Sequence, residues 1–571
     1  MRGRRVFFTG LVLASIYAWA CSPAQSPAGG GGQRTAAALA GKTLVFVHGG
    51  EVQSFAHKEL LPTAGATSTR SAEAKLLVNA RLVYLNERGL PAPFLAEALP
   101  QLGADTWRVL PDGTMETGYR LKSNLTWHDG QPLTADDFVF AWRAYANPQF
   151  GVSTTGGMRF VEEVAAPDPR TVVIRWKQPY PDAIDDVNVV PPLPRHILEQ
   201  PYQQLAVESF MALPFWREEY VGLGPWRLEH REPGSYFEAA AFDGFVFGRP
   251  RIDRVRVVYI PDTNAAVANM LAGYVHYAME SLLYGEEGLT LERGWAGTSG
   301  GTVVWEPISA RAMEFQQRPE FAVPTELATD VRVRRAVAHL VDREALLEVV
   351  TAGRGLLRDV FAHPYAEDYD LILRAVPVRY RYDPRRAGQL LEEAGFSRGA
   401  DGVWVSSSGQ RFTLEQWYIA GATNERESHI LVDYLRRNGV DATAHVFGVQ
   451  RTSNEDRAKS PGIFGGSKDQ ARYHSAEIAR AETRWTGSNR FGYANPEMDR
   501  LIDVWDRTLD RADGSRIMAQ VERIAMEDLP SLPMYWNPRV MAWVAGLRGT
   551  VTNLTPDGGG ERRVWEWYWE S

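Results

Sequence analysis

Few residues of this chain have the types and spacing for covalent chemistry. Gly297-Thr298-Ser299-Gly300-Gly301 spells G-x-S-x-G, but a nucleophile elbow needs a strand before the serine and a helix after it. Thr302 to Trp305 reads as a strand, so the motif is a turn. No H-E-x-x-H, Walker A loop, C-x-x-C pair or dinucleotide fingerprint occurs. The 11 histidines are scattered, without metal-ligand spacing. No catalytic residue, metal or cofactor is expected. What remains is binding chemistry. Arg457, Arg484 and Arg490 are candidates to face a carboxylate, and Glu59 a cation. Gln149 and Phe150 follow an aromatic helix in a loop that could border a cleft.

The elements that would position such residues begin with Tyr119 to Pro148. Tyr119 and Leu121 alternate with Arg120 and Lys122, the period of a half-buried strand. Asp129-Gly130 is a turn dipeptide. Thr134, with Asp137 three residues on, reads as a capping box. Phe138, Ala141, Trp142 and Tyr145 follow at helical spacing, and Asn147-Pro148 ends the helix. Thr43 to Val47, Thr171 to Trp176, Arg251 to Ile260 and Phe412 to Tyr418 read as strands. Thr263 to Leu271, Glu425 to Asn438 and Ile517 to Glu527 read as helices. Asp330, Asp383 and Asn495 are N-caps, the last two followed by Pro at the first helical position. Trp565, Trp567 and Trp569 alternate as one face of a terminal strand.

The chain has 571 residues, 44% of them hydrophobic and 23% charged, which predicts several globular domains. A net charge of -8 without basic runs excludes a nucleic-acid surface. Arg2, Arg4 and Arg5 precede an apolar run from Val6 to Ala20, too short to span a bilayer, and this reads as a secretory signal. Cys21 follows at once. It is the only cysteine, so no disulfide forms within the chain, and its position marks a lipid-attachment site. Ala18 and Trp19 depart from the usual lipobox, and ordinary cleavage after Ala20 is the alternative. Ser22 to Ala40, rich in Gly, Ala, Pro and Gln, reads as a flexible tether.

Trp127, Asp129, Gly130, Pro132, Thr134, Ala135, Asp137, Phe138, Val139 and Trp142 carry a resemblance. They are similar to the signature region of bacterial extracellular solute-binding proteins of the oligopeptide/dipeptide-binding type, which feed ABC importers. Further matches follow in family order: Gly222-Leu223-Gly224-Pro225-Trp226, Val331 to Ala336, Asp383 to Gly395, Asn495 to Asp499 and Leu532 to Tyr535. The resemblance implies an α/β, two-lobed periplasmic-binding-protein fold of type II, with an additional inserted subdomain and discontinuous domains joined by a hinge. The expected limits are a signal peptide at 1–20, a tether at 21–41, a first lobe from 42–70, 222–305 and 535–571, an inserted subdomain at 71–221, and a second lobe at 306–534.

The same resemblance implies a monomer outside the cytoplasm, periplasmic or on the cell surface and held to the membrane by lipid. It would carry a peptide-like solute to the transmembrane permease of an ABC importer. Family members place main-chain ligand contacts where Glu59, Leu61 and Pro62 stand here. In the peptide-binding Gly-Trp-x-x-Asp element, Gly465 takes the Gly position and Asp469 the Asp that pairs with a peptide amino terminus; the Trp is replaced by Gly466. A sensing lipoprotein of the same fold and an exported hydrolase are the alternative readings.

Overall fold

The computed structural model describes residues 43–58, 60, 72–150, 156–184, 190–298, 300–448, 453–468, 470–552 and 563–570. Cys21, the signal, the tether and Ser299 lie outside them. No helix among the described residues is long and apolar enough to cross a membrane.

One mixed sheet organises the chain. Among the described residues it runs Asp441–Phe447, Thr413–Ile419, Ile463–Gly466, Gly301–Phe315, Ser531–Val544, Tyr277–Leu283, Thr43–His48, Arg254–Tyr259, Tyr236–Ala241 and Trp226–Glu232, with Leu356–Leu357 added beside Ser531–Val544. The strands at each end of the sheet that pair parallel need covered faces, and helices supply them. Gly285–Trp295 and Thr263–Leu271 pack at one end, and Ala422–Arg437 and Val331–His339 at the other.

The apolar side chains divide between the two ends. One core holds Met313, Phe315, Val333, Leu390, Tyr418, Met526 and Tyr535. Others hold Phe46, Val255, Phe237 and Trp567, or Val47, Leu291 and Val540. The antiparallel pair Gly301–Phe315 and Ser531–Val544 runs through both ends, and its middle, with Ile308, Ala310 and Trp536, is buried yet belongs to none of these cores. Pro307 faces Pro538 there, and the register slips between Pro307 and Ser309 and again between Arg311 and Ala312. Neither proline has an amide to donate. The two lobes are therefore joined by a ribbon that is weakest where it crosses between them.

A four-stranded sheet, Trp107–Val109, Met115–Arg120, Thr171–Trp176 and Val161–Asp168, builds the inserted subdomain, and the helix Ala135–Ala146 covers it. Thr134 and Asp137 form the expected capping box, and Gly130 turns at φ 87. Asp137 is buried and accepts from the amides of Thr134 and Arg195, so the cap also fixes the start of the next helix. This subdomain shares a continuous core with the first lobe through Trp127, Leu223 and Trp226.

The terminal tryptophans differ from expectation. Only Tyr568–Trp569 is strand, and Val564–Glu566 is a 3-10 turn, so the three rings do not share a strand face. Trp565 packs on Phe94, Phe245 and Phe247, and Trp567 on Phe46 and Tyr277, because the turn sends each ring to a different aromatic cluster.

Candidate functional site

In open α/β sheets ligands gather beyond the carboxyl ends of the strands. Here His48, Gly49, Ala420 and Gly421, at the carboxyl ends of Thr43–His48 and Thr413–Ile419, line a cavity on one face of the ribbon that joins the lobes, and Gln470, four residues past Ile463–Gly466, lines a cavity on the other. Side chains alternate along the ribbon, so it has two faces. Trp536 turns to one face, called the front; Ser309, Arg311 and Asn537 turn to the other.

The front face floors a cavity of about 390 Å³ between the second lobe and the inserted subdomain, which contributes Pro181 and Asp182. Trp536 is held between two groups: the Arg358 guanidinium lies 4.3 Å from its ring centroid and the His363 ring 4.4 Å from it, edge to face. Arg358 donates to the carbonyls of Lys468 at 2.6 Å and Phe361 at 2.8 Å. It thereby anchors the chain immediately before Asp469. His363 Nε2 donates to the Pro307 carbonyl at 3.1 Å, and Nδ1 accepts from the Tyr365 amide. Burial lowers the pKa of His363, which keeps the ring neutral.

Glu522, on the helix Arg511–Asp528, accepts from the Phe361 amide at 2.8 Å and lines the same cavity. Burial pushes its pKa up to about 7, against the Phe361 amide and Arg358, which lower it. Five carboxylates line this cavity (Asp182, Glu367, Asp368, Asp510 and Glu522) against the guanidinium of Arg511. Such a wall attracts cations. A nucleophile held by a base is not assembled among the lining residues, and no group of His, Cys, Asp or Glu among the described residues is placed to hold a metal.

Beside the cavity, charge bridges the inserted subdomain and the second lobe. Arg159 of the inserted subdomain reaches Glu477 at 2.9 Å and Asp506 at 3.4 Å on the second lobe. Arg472 holds Asp506 from the other direction at 2.5 Å and lies over the Trp505 ring, which lines the cavity.

The residues expected from sequence to meet ligand fall in several places. Glu59, Leu61, Pro62 and Asp469 lie outside the described residues. Gln470, next in sequence to Asp469, lines the front cavity. Gln149 is exposed, and Phe150 is a core ring, stacked on Tyr202 with centroids 5.7 Å apart and edge-on to Phe210. Neither lines the front cavity. Gly465 sits on the strand Ile463–Gly466, where a Cβ would stand 1.7 Å from the Tyr418 ring, so packing alone accounts for the glycine. Arg457 is half-buried on the short helix Asn454–Ala458, and burial and the neighbouring Arg490 lower its pKa. Arg484 is exposed with φ 53, and Arg490 is half-buried, its carbonyl accepting from Arg318. None of these three arginines lines the front cavity.

Arg358, His363 and Trp536 went unread in the sequence. Trp536 directly follows Leu532 to Tyr535, the return segment of the resemblance, and that adjacency was the available signal. Arg358 and His363 sit in an aperiodic stretch that offers none.

Comparison with known proteins follows this geometry. The model of the bacterial extracellular solute-binding proteins, family 5, middle region, matches residues 97–471. The oligopeptide-binding protein AppA of Bacillus subtilis is 24% identical over 558 residues, covering 94% of each chain. Its structure in complex with a nonapeptide superimposes with a TM-score of 0.70 at 21% identity, covering 93% of this chain and 99% of that one. NikA from Brucella suis, solved with Fe(III)-EDTA, gives a TM-score of 0.75 at 16% identity, covering 92% of this chain and 100% of that one.

Proposed function

Because this chain belongs to the bacterial extracellular solute-binding proteins of family 5, a family of transport rather than catalytic proteins, we propose that it is the extracytoplasmic binding component of an ABC importer. It takes an oligopeptide or similar small solute into the cleft between the lobes and delivers it to the permease. The observation that carries the reading is a cavity set between the second lobe and the inserted subdomain, against a two-stranded ribbon and walled by five carboxylates and one guanidinium. A ligand amine suits that wall, and Asp469, one residue before Gln470, would add a further carboxylate. A charge-assisted bond in a site that closes over its ligand is stronger than one in water.

The lobes of this reading are 42–70, 222–305 and 535–571 against 306–534, with 71–221 inserted. The chain works as a monomer anchored through lipid at Cys21, and it turns over no substrate. Native mass spectrometry of protein beginning after Cys21, incubated in the growth medium of its source, tests the proposal. A retained solute that is lost on unfolding supports it, and its mass gives the ligand class. Turnover of that solute without stable retention would overturn it. Asp469→Asn and Gln470→Trp are each expected to weaken capture by about tenfold or more, the loss of one charged bond or the filling of the cavity.

A further inference from the structure

The strands of the first lobe begin at the end that faces away from the cleft. Thr43–His48 runs parallel to both Arg254–Tyr259 and Tyr277–Leu283, so the segments leading into all three meet there. The chain itself arrives at this end, where Thr43 opens the first strand and is registered on Arg254. His48, at the other end of that strand, lines the cavity between the lobes.

Exposed apolar side chains gather where the strands begin. Tyr274, in the turn before Tyr277, is 75% exposed, and Leu271 and Phe247 are exposed as well. Tyr568 joins them because Tyr568–Trp569 pairs with Leu547–Arg548, and Trp569 lies edge-on to His276 with centroids 4.9 Å apart. Phe247 and Tyr568 line a cavity of about 490 Å³ together with Tyr84 and Trp565. Its two guanidiniums differ. Arg249 is held by Asp243 and, at 2.9 Å, by Asp253. Arg251 lies over the Tyr568 ring, 5.0 Å from its centroid, and forms no ion pair among the described residues.

A group of exposed aromatic rings marks a contact surface. Rings beside an arginine suit a bilayer interface, where the rings sit at headgroup depth and the guanidinium meets phosphate. We propose that this end of the first lobe rests on a lipid surface with anionic headgroups. Tyr274, Phe247 and Tyr568 lie among the headgroups, and Arg251 on a lipid phosphate. The proposal rests on the reading that the chain is anchored through Cys21. The chain leads from that anchor to Thr43, at this end, and tethering raises the local lipid concentration enough to populate a weak contact. The cleft lies at the opposite end of the strands, so a protein resting in this way keeps it open to solute.

Sedimentation of protein beginning after Cys21 with sucrose-loaded vesicles of phosphatidylcholine and phosphatidylglycerol tests the contact without any anchor. The protein is expected to sediment at millimolar lipid. Arg251→Glu with Tyr274→Ser, both at exposed positions, is expected to lower the vesicle affinity by about tenfold. Arg437→Glu with Tyr382→Ser, the same changes at exposed positions of the second lobe, is expected to leave it unchanged. Near-ultraviolet circular dichroism checks that each variant is folded. The proposal is overturned if the wild type does not sediment, if the first pair of substitutions has no effect, or if the second pair weakens binding as much. A dimer in analytical ultracentrifugation that the first pair disperses would also overturn it, by giving this surface to a second copy. Whether Cys21 carries lipid is read separately, from the mass of the full chain recovered from membranes, so loss of the anchor and loss of the contact are distinguishable.

Discussion

The two faces of the ribbon are made by neighbouring residues and are unlike each other. Trp536 serves the front, pressed between Arg358 and His363, with carboxylates around it. Asn537, the next residue, serves the back, beside Ser309 and the Arg311–Glu427–Tyr535 cluster. Strand alternation alone separates them, so one short segment specifies two surfaces of different chemistry. The front relies on ring packing, and the back on a buried ion pair.

Removing what each face relies on separates them most sharply. Trp536→Ala should cost about 5 kcal/mol of stability in urea unfolding, since a ring only 1% exposed is lost and the cavity it leaves is walled by Arg358 and His363. Glu427→Ala should cost about 4 kcal/mol by stranding Arg311 in a buried site, whereas replacing the pair together, Arg311→Met with Glu427→Leu, should recover most of that loss. If the double replacement is as unstable as Glu427→Ala, the back face depends on packing as the front does, and the contrast fails.

Proton linkage gives a smaller difference. Glu522 has a folded-state pKa of about 7, raised from 4.5, so between these values the native state binds more proton than the unfolded state. Stability from this group is greatest below pH 4.5 and falls as pH rises through 7. Burial lowers His128 and His276 from 6.5 to about 4, and these groups act oppositely, losing stability as pH falls. The comparison of wild type with Glu522→Gln isolates the carboxyl. The wild type should lose on the order of 3 kcal/mol more than the variant across that window. Parallel stability curves for the two proteins would remove Glu522 from the account.

The smallest effect belongs to the charges beside the front cavity. Arg159 is 35% exposed, so Arg159→Ala should cost only about 0.5–1 kcal/mol. Stopped-flow release of a bound solute should nonetheless quicken by a few-fold, because the contact spans the inserted subdomain and the second lobe. An unchanged release rate would mean that this ion pair does not hold the cavity shut.

Much of the framework was legible because it is local. Asp330, Asp383 and Asn495 each cap a helix from a side chain within three residues, and the strand Thr171–Trp176 alternates cleanly. The ribbon was only half legible: Thr302 to Trp305 read as a strand, but the continuation to Phe315 and its partner depend on pairing across more than 200 residues. The front cavity was less legible still. Trp536, Arg358, His363 and Glu522 meet only through tertiary packing, and Glu522 lies in a helix between buried Val521 and Ile524. The terminal tryptophans show the reverse error. Their period of two suggested a strand, and a 3-10 turn at Val564–Glu566 rotates them apart.

The facing prolines bear on how this protein can be watched. Pro307 and Pro538 sit opposite one another where the ribbon passes between lobes. A residue without an amide has no proton to exchange with deuterium and gives no peak in an amide spectrum. The crease is therefore silent to the two methods most often used to locate bending. Its movement has to be read from neighbours, and Ile308 and Asn537, one step from each proline and on different strands, are where reporter signals belong.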